Sequence, residues 1–204
     1  GGYLSYMKHL RKIIAFAVII FLGNYTQAQK YTVANAHAHN DYIHKVPFYA
    51  ALDAGFGSIE ADVYPVNGTL LVAHGKKDIR TKNTLKSLYL DPLSNKLVKD
   101  STRNVKLLID IKENYRLSLQ LLLEELTPLK KYLYSPGNTA NPITILISGE
   151  RPPPSEYKDY PSYIFFDDDL RLPHNSDQWK RVGQVSLSFE RYSNWKGEDN
   201  ISTN

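Results

Sequence analysis

Apolar runs of four to eight residues recur along the chain, separated by helical or turn-rich segments. Tyr31–Ala36 (YTVANA) reads as a first strand. Pro47–Gly55 (PFYAALDAG) reads as a short helix stopped by glycine, which readily takes the left-handed conformation that ends helices. Ser58–Pro65 (SIEADVYP) predicts a second strand, and Asn67-Gly68 a tight hairpin that returns through Thr69–Ala73. Val105–Lys112 (VKLLIDIK) predicts a third strand, followed by an apolar-rich helix over Leu117–Leu126. Ile143–Ser148, Tyr163–Phe166 and Val182–Phe189 predict the fourth to sixth.

Strands alternating with helices in this order argue for a parallel sheet. The third and fourth are almost continuously apolar, as strands covered on both faces are. An open doubly wound sheet and a (β/α)8, TIM-barrel-like fold both fit this α/β pattern. A complete barrel takes roughly 200–250 residues. With about six strands present, the barrel reading makes this a C-terminally truncated domain, with strands seven and eight missing. The polar stretch 190–204, which carries no final helix, agrees with that expectation.

The N-terminal pattern differs. From Met7 a basic head (Lys8, Arg11, Lys12) precedes ten uninterrupted apolar residues, Ile13–Leu22, and a polar stretch with the small Ala28. This is the layout of a secretory signal peptide, of a compact bacterial kind. The expected organisation is therefore upstream residues and signal over 1–28 and a partial barrel domain over 29–204. The expected location is secreted or periplasmic. A spanning helix needs about 20 apolar residues, so no stable membrane span is expected.

Setting aside 1–28 removes three of the 25 basic residues and no acidic one, leaving 22 against 21. A near-neutral domain gives no electrostatic case for nucleic acid. The sequence has no cysteine, which excludes disulfides, thiolate zinc sites and cysteine nucleophiles.

Candidate chemistry gathers at the predicted strand ends. Alternate residues of a strand share a face, so Glu60 and Asp62 pair on the second strand, and Asp110 and Lys112 on the third. His37 and His39 lie at the first, within HAHNDY, and His74 follows the hairpin. His-x-His reads either as a metal-binding pair or as one acid/base and one structural histidine. Parallel α/β folds bring these ends to one rim. Three carboxylates held together are costly without a cation, because like charges force protonation. An all-oxygen set suits Mg²⁺ or Ca²⁺. Lys112 is a natural partner for a phosphate, and two histidines flanking it can exchange protons with the attacking and leaving oxygens.

His39 with Asn40-Asp41, GFGSIEADV (55–63), TLLVAHG (69–75) and LLIDIKE (107–113) resemble the glycerophosphodiester phosphodiesterases and the related phospholipase-C-like phosphodiesterases. The gaps are similar to the sphingomyelinase D branch. The wording HNDY, IEADV and LYLDPL is similar to the group containing altered inheritance of mitochondria protein 6 and its secreted bacterial relatives. The resemblance implies a distorted (β/α)8 barrel that hydrolyses a phosphodiester small molecule or lipid headgroup. It implies His39 and His74 as the catalytic pair, Glu60, Asp62 and Asp110 as ligands of Mg²⁺ or Ca²⁺, and Lys112 on the phosphate. The usual His-Arg-Gly opening is replaced by His39-Asn40-Asp41 and no Glu-Asn-Thr triplet follows, which counts against glycerophosphodiester specificity. Asn40 and His37 stand behind the reacting groups on this reading, with a buried structural histidine the alternative for His37. His44 and His174 receive no role.

Two other classes compete. An amidohydrolase-type or polymerase-and-histidinol-phosphatase-type hydrolase would bind its metal through His37-x-His39 but needs further histidines on later strands, and only His174 follows His74. A secreted binding module on an inactive barrel would be favoured by loss of a histidine or an acidic ligand, and none is lost.

Overall fold

The computed structural model describes Gly2, residues 30–99 and residues 103–189. The expected signal segment and the polar 190–204 stretch lie outside these residues. The protein divides into two units, Gly1–Thr32 and Val33–Asn204, and every element below belongs to the second.

Seven strands form one sheet: β1 (His37–Ala38), β2 (Ser58–Val66), β3 (Thr69–Val72), β4 (Val105–Ile111), β5 (Ile143–Gly149), β6 (Ile164–Asp168) and β7 (Val182–Val185). Their order is β1-β2-β4-β5-β6-β7, all neighbours parallel, with β3 antiparallel to β2. Sequential parallel addition with helices between strands is the TIM-barrel-like α/β architecture expected, here a curled half-barrel. Among the described residues the α-helices are α1 (Tyr49–Ala54), α2 (Asp91–Lys99), α3 (Tyr115–Glu125) and α4 (Ser176–Trp179).

Strand alternation divides the core. Outward positions such as Ile59, Leu107, Ile109, Ile145, Ile147 and Phe166 meet Leu119 and Leu122 of α3 in the main cluster. Inward Leu108, Leu146 and Phe165 form a second, smaller cluster with Tyr134. Gly183 belongs to this inner packing, since a Cβ there would stand 2.9 Å from both Leu146 Cδ1 and Phe165 Cβ. The main cluster, with so many fully buried aliphatic side chains at about 1.5–3 kcal/mol each, is the chief stabilising term.

Turn chemistry follows the sequence closely at two points. Asn67 and Gly68 have φ of 49° and 77°, both left-handed, as the tight β2–β3 hairpin requires. Gly55 closes α1 at φ 101°, its N–H bonding to Ala51 and Leu52 carbonyls.

The predicted first strand is corrected. Val33–Asn35 within it forms a 3₁₀ turn, and the strand is only His37–Ala38. The run YTVANA carries just two β-branched residues, and exposed Val33 offers no apolar face for a sheet to bury. The sixth predicted strand also shortens, from Val182–Phe189 to Val182–Val185. Helix α2 went unpredicted although Leu93 and Leu97, four residues apart in DPLSNKLVK, give it a helical apolar spacing.

Candidate active site

The carboxylate positions are set by register. Asp62 on β2 pairs with Asp110 on β4, and Asp110 pairs in turn with Ser148 on β5. Glu60 lies two residues before Asp62 on the same face. The three carboxylates converge, each offering an oxygen within 4.8 Å of the others. Asp62 and Asp110 form the next-to-last pair of the parallel β2–β4 ladder, toward the rim where parallel α/β folds carry their chemistry, and Glu60 lies one step deeper.

Each carboxylate is held differently. Glu60 Oε2 accepts the Asn40 backbone N–H at 3.0 Å, with His37 Nε2 at 3.5 Å and His39 Nε2 at 3.6 Å. Burial works against the charged form, but His37, the Asn40 amide and the His39 charge outweigh it and hold the Glu60 carboxyl below its ordinary range. Asp62 is fully buried; its Oδ2 takes the Tyr42 hydroxyl at 2.6 Å and the Lys112 ammonium at 2.8 Å. Its Oδ1 is buried with no hydrogen-bond partner among the described residues. Asp110 Oδ1 meets Lys112 Nζ at 3.2 Å. Burial pushes the Asp110 carboxyl up, Lys112 offsets part of this, and Asp62 and Glu60 add to it. Burial disfavours the Lys112 ammonium too, yet Asp62 and Asp110 outweigh it and keep the lysine above its usual range.

An oxygen-only donor set fits a hard divalent cation. The unpartnered Asp62 Oδ1 is the strongest sign of fit, because a buried carboxylate oxygen without a partner costs about 1–3 kcal/mol unless something binds it. Glu60, Asp62 and Asp110 are the residues that could hold the ion.

The histidines flank this group. His39 and His74 are both largely exposed, on the Glu60 and Asp62 sides respectively. His74 Nδ1 lies 3.4 Å from Asp62 Oδ2 and borders a cavity of about 240 Å³ with Tyr42, Ala73, Asp78 and Asn83. His37 leans on Ser58, Nδ1 to Oγ 2.8 Å, as well as on Glu60. Asn40 contributes its backbone amide from a left-handed conformation, φ 50°. Lys112, expected on the phosphate, bridges two carboxylates here. A larger cavity of about 600 Å³ lies at the opposite ends of the strands, around Gly57, Lys106 and Thr144, away from the carboxylates.

Two side chains that the sequence reading passed over matter here. Tyr42 joins Asp62 and His74, its hydroxyl 3.1 Å from His74 Nδ1, and burial first, then Asp62, pushes its phenol far above the ordinary range. The DY that follows HN was its only signal. His174, left without a role, is buried against Asp168 (Nε2 to Oδ2 2.8 Å) with its ring 4.6 Å from that of Trp179. Asp168 points to the outer face of β6, away from the carboxylate group, and also receives the Tyr157 hydroxyl.

Residues 27–103 match the family model of the AIM6-like phosphodiesterase domain. The resemblance read from the motifs is borne out. The match contains His37, His39, Asn40, Glu60, Asp62 and His74 and stops short of Asp110 and Lys112. The altered inheritance of mitochondria protein 6 homolog of Arthroderma benhamiae is 33% identical over 147 residues, 57% of this sequence and 47% of its own length. Its counterpart in Kluyveromyces lactis is 32% identical over 171 residues, 64% of this sequence and 41% of its own. The protein thus spans less than half the length of these curated relatives. Among solved structures, a calcium-dependent phosphoinositol-specific phospholipase C from Pseudomonas sp. superposes with a TM-score of 0.51 over 74% of this protein and 73% of its own length, at 13% identity. That likeness supports the fold.

One expectation is overturned. The bacterial, secreted or periplasmic placement inferred from the N-terminal pattern gives way, because the curated relatives are fungal proteins whose name links them to mitochondria. A basic head before an apolar decamer is a local composition shared by segments with other destinations. Among the described residues no helix is long and apolar enough to cross a membrane.

Proposed function

We propose that this protein carries the catalytic groups of a metal-dependent phosphoric diester hydrolase. The AIM6-like phosphodiesterase match and the phospholipase-C-like fold support a phosphodiester hydrolase at the level of the family. The finer reading rests on the convergence of Glu60, Asp62 and Asp110, with one oxygen of Asp62 buried and unpartnered.

On this reading the carboxylates hold Mg²⁺ or Ca²⁺, which would polarise a phosphoryl oxygen and neutralise charge developing on it. His39 and His74 exchange protons with the attacking hydroxyl and the leaving oxygen, and their exposure leaves both rings open to a substrate. Glu60 orients His39, and Lys112 can donate a hydrogen bond to a phosphate once a cation shares the carboxylates. His37 and the Asn40 amide hold Glu60 ionised for that task. The substrate class is a phosphodiester small molecule or a lipid headgroup. The superposed relative is named for phosphoinositol and calcium, which favours a polyol-bearing lipid headgroup among candidates.

The amidohydrolase-type alternative is disfavoured, because His37 and His39 both lean on Glu60 and no described histidine joins them in a metal-binding group.

The test is turnover of bis-p-nitrophenyl phosphate by the full-length protein in EDTA, Mg²⁺ or Ca²⁺, for wild type, His39→Ala and Asp62→Asn. Metal-dependent turnover lost in both variants is expected. No turnover together with no divalent-ion binding by calorimetry would overturn the reading.

A further inference from the structure

We propose that Tyr42 is a positioning residue that sets the tautomer of His74, holding the ring proton on Nδ1 and leaving Nε2 bare toward the substrate side. The hydroxyl of Tyr42 has three polar neighbours: Asp62 Oδ2 at 2.6 Å, Asn40 at 2.9 Å, placed with its Oδ1 toward the phenol, and His74 Nδ1 at 3.1 Å. A phenol carries one proton and can accept from two donors. Only one neighbour can receive that proton.

Asp62 receives it. The contact is the shortest of the three and falls in the 2.5–2.7 Å range of a hydroxyl donating to a carboxylate. The phenol oxygen must then accept from the other two. A bare His74 Nδ1 would set two lone pairs against each other, so Nδ1 carries hydrogen, and in the neutral ring Nε2 then carries none. The same reasoning turns the Asn40 amide so that its NH₂ faces the phenol, oxygen and nitrogen of an amide being distinguished only through such networks. One bond donated and two accepted use the full capacity of the hydroxyl.

The phenol is itself rigidly presented. Buried Asp41 accepts the Phe48 backbone N–H at 2.6 Å and the Tyr89 hydroxyl at 3.0 Å, which pins the 3₁₀ turn Asp41–Ile43. All three polar contacts of the Tyr42 hydroxyl go to residues of the candidate site. With the Lys112 ammonium on the same carboxylate oxygen, Tyr42 also commits Asp62 Oδ2 and leaves Oδ1 as the oxygen without a partner among the described residues. On the phosphodiesterase reading, on which this step rests for its catalytic meaning, proton exchange with a substrate oxygen is confined to His74 Nε2.

The deciding experiment is a two-bond ¹H–¹⁵N spectrum of histidine-labelled protein at pH 8, above the ordinary histidine range. His74→Gln assigns the signals by their loss. Wild type is expected to show His74 with hydrogen on Nδ1, and Tyr42→Phe to shift the ring to the Nε2–H form that free imidazoles favour in water. An Nε2–H pattern in the wild type overturns the proposal, and so does an unchanged Nδ1–H pattern in a folded Tyr42→Phe. Asp62 Oδ2 also lies 3.4 Å from Nδ1, so loss of the hydroxyl is what separates the two partners; should Tyr42→Phe fail to fold, Tyr42→Met takes its place with the same two outcomes. Where turnover is measurable, Tyr42→Phe lowers kcat about 10- to 100-fold with KM nearly unchanged, the size seen when an orienting partner is lost. Because the tautomer is read without substrate, an absence of turnover would count against the phosphodiesterase reading and leave this one standing.

Discussion

Asp62 and Asp110 face each other as register partners across the parallel β2–β4 ladder, and Lys112 Nζ lies within 2.8 Å of one and 3.2 Å of the other. Two carboxylates on adjacent strands at the same level repel, and in this arrangement a single lysine offsets that repulsion. A divalent ion bound to the pair would take over much of that neutralisation and free lysine hydrogen bonds.

Calcium or magnesium should stabilise the wild-type protein. At about 100-fold excess over its Kd an ion adds about 2.7 kcal/mol, or roughly 5–10 °C in Tm for a domain of this size. Asp110→Asn should lose most of that shift. Thermal unfolding with either ion and with EDTA checks it, and a wild type indifferent to both ions would contradict the carboxylate site.

Gly149 ends β5 beside Asp110 at φ 71°, where an added Cβ would collide with Asp110 Oδ1 and the Ile111 carbonyl. Gly149→Ala should cost about 1–3 kcal/mol from strain and crowding. It should also weaken metal affinity by displacing Asp110. Denaturant unfolding and calorimetry measure the two effects separately, and an alanine variant of unchanged stability would mean the backbone there relaxes freely.

Glu125, at the end of α3, has its carboxyl pushed above the ordinary range, mainly by burial, with the Leu70 backbone N–H and Lys86 offsetting part of it. A raised carboxyl pKa means the folded state holds the proton more tightly. That stabilising contribution is complete below the unfolded value of about 4.3 and is lost as pH rises through the higher folded value. Glu125→Gln stays neutral and keeps it. The variant should therefore be more stable than wild type at pH 7–8, with the gap closing below pH 4. Melting curves across that range provide the check, and a gap independent of pH would show that ionisation is not its origin.

Arg181 donates to four backbone carbonyls, those of Tyr157 (2.8 Å), Tyr160 (3.1 Å), Pro161 (2.7 Å) and Ile164 (2.7 Å). It joins the 3₁₀ segment Pro154–Asp159 to the start of β6. Arg181→Ala should destabilise by about 2–3 kcal/mol, since hydrogen bonds from a charged donor are lost together. Arg181→Lys should recover little of this, because an ammonium cannot reproduce the planar fork. Urea unfolding of both variants tests the point, and a lysine variant matching wild type would show that charge alone suffices.

Much of this was legible in the sequence itself. Continuous apolar runs marked β4 and β5, because strands buried on both faces have no polar side to show. Asn67-Gly68 announced its hairpin, since both positions need positive φ. The spacing of Glu60 with Asp62 and of Asp110 with Lys112 showed which side chains share a strand face. Local sequence was silent where a contact partner is distant. The short β1 and the buried His174 on Asp168 depend on tertiary neighbours, and no local periodicity encodes them. Sequence also could not show that Asp62 and Asp110 are opposite each other, which is a matter of register, nor that one hydroxyl from Tyr42 reaches both Asp62 and His74. A motif states which groups are available within a few residues. Which of them meet, and which lone pair is left without a partner, is decided only when strands roughly 40 or more residues apart are laid side by side.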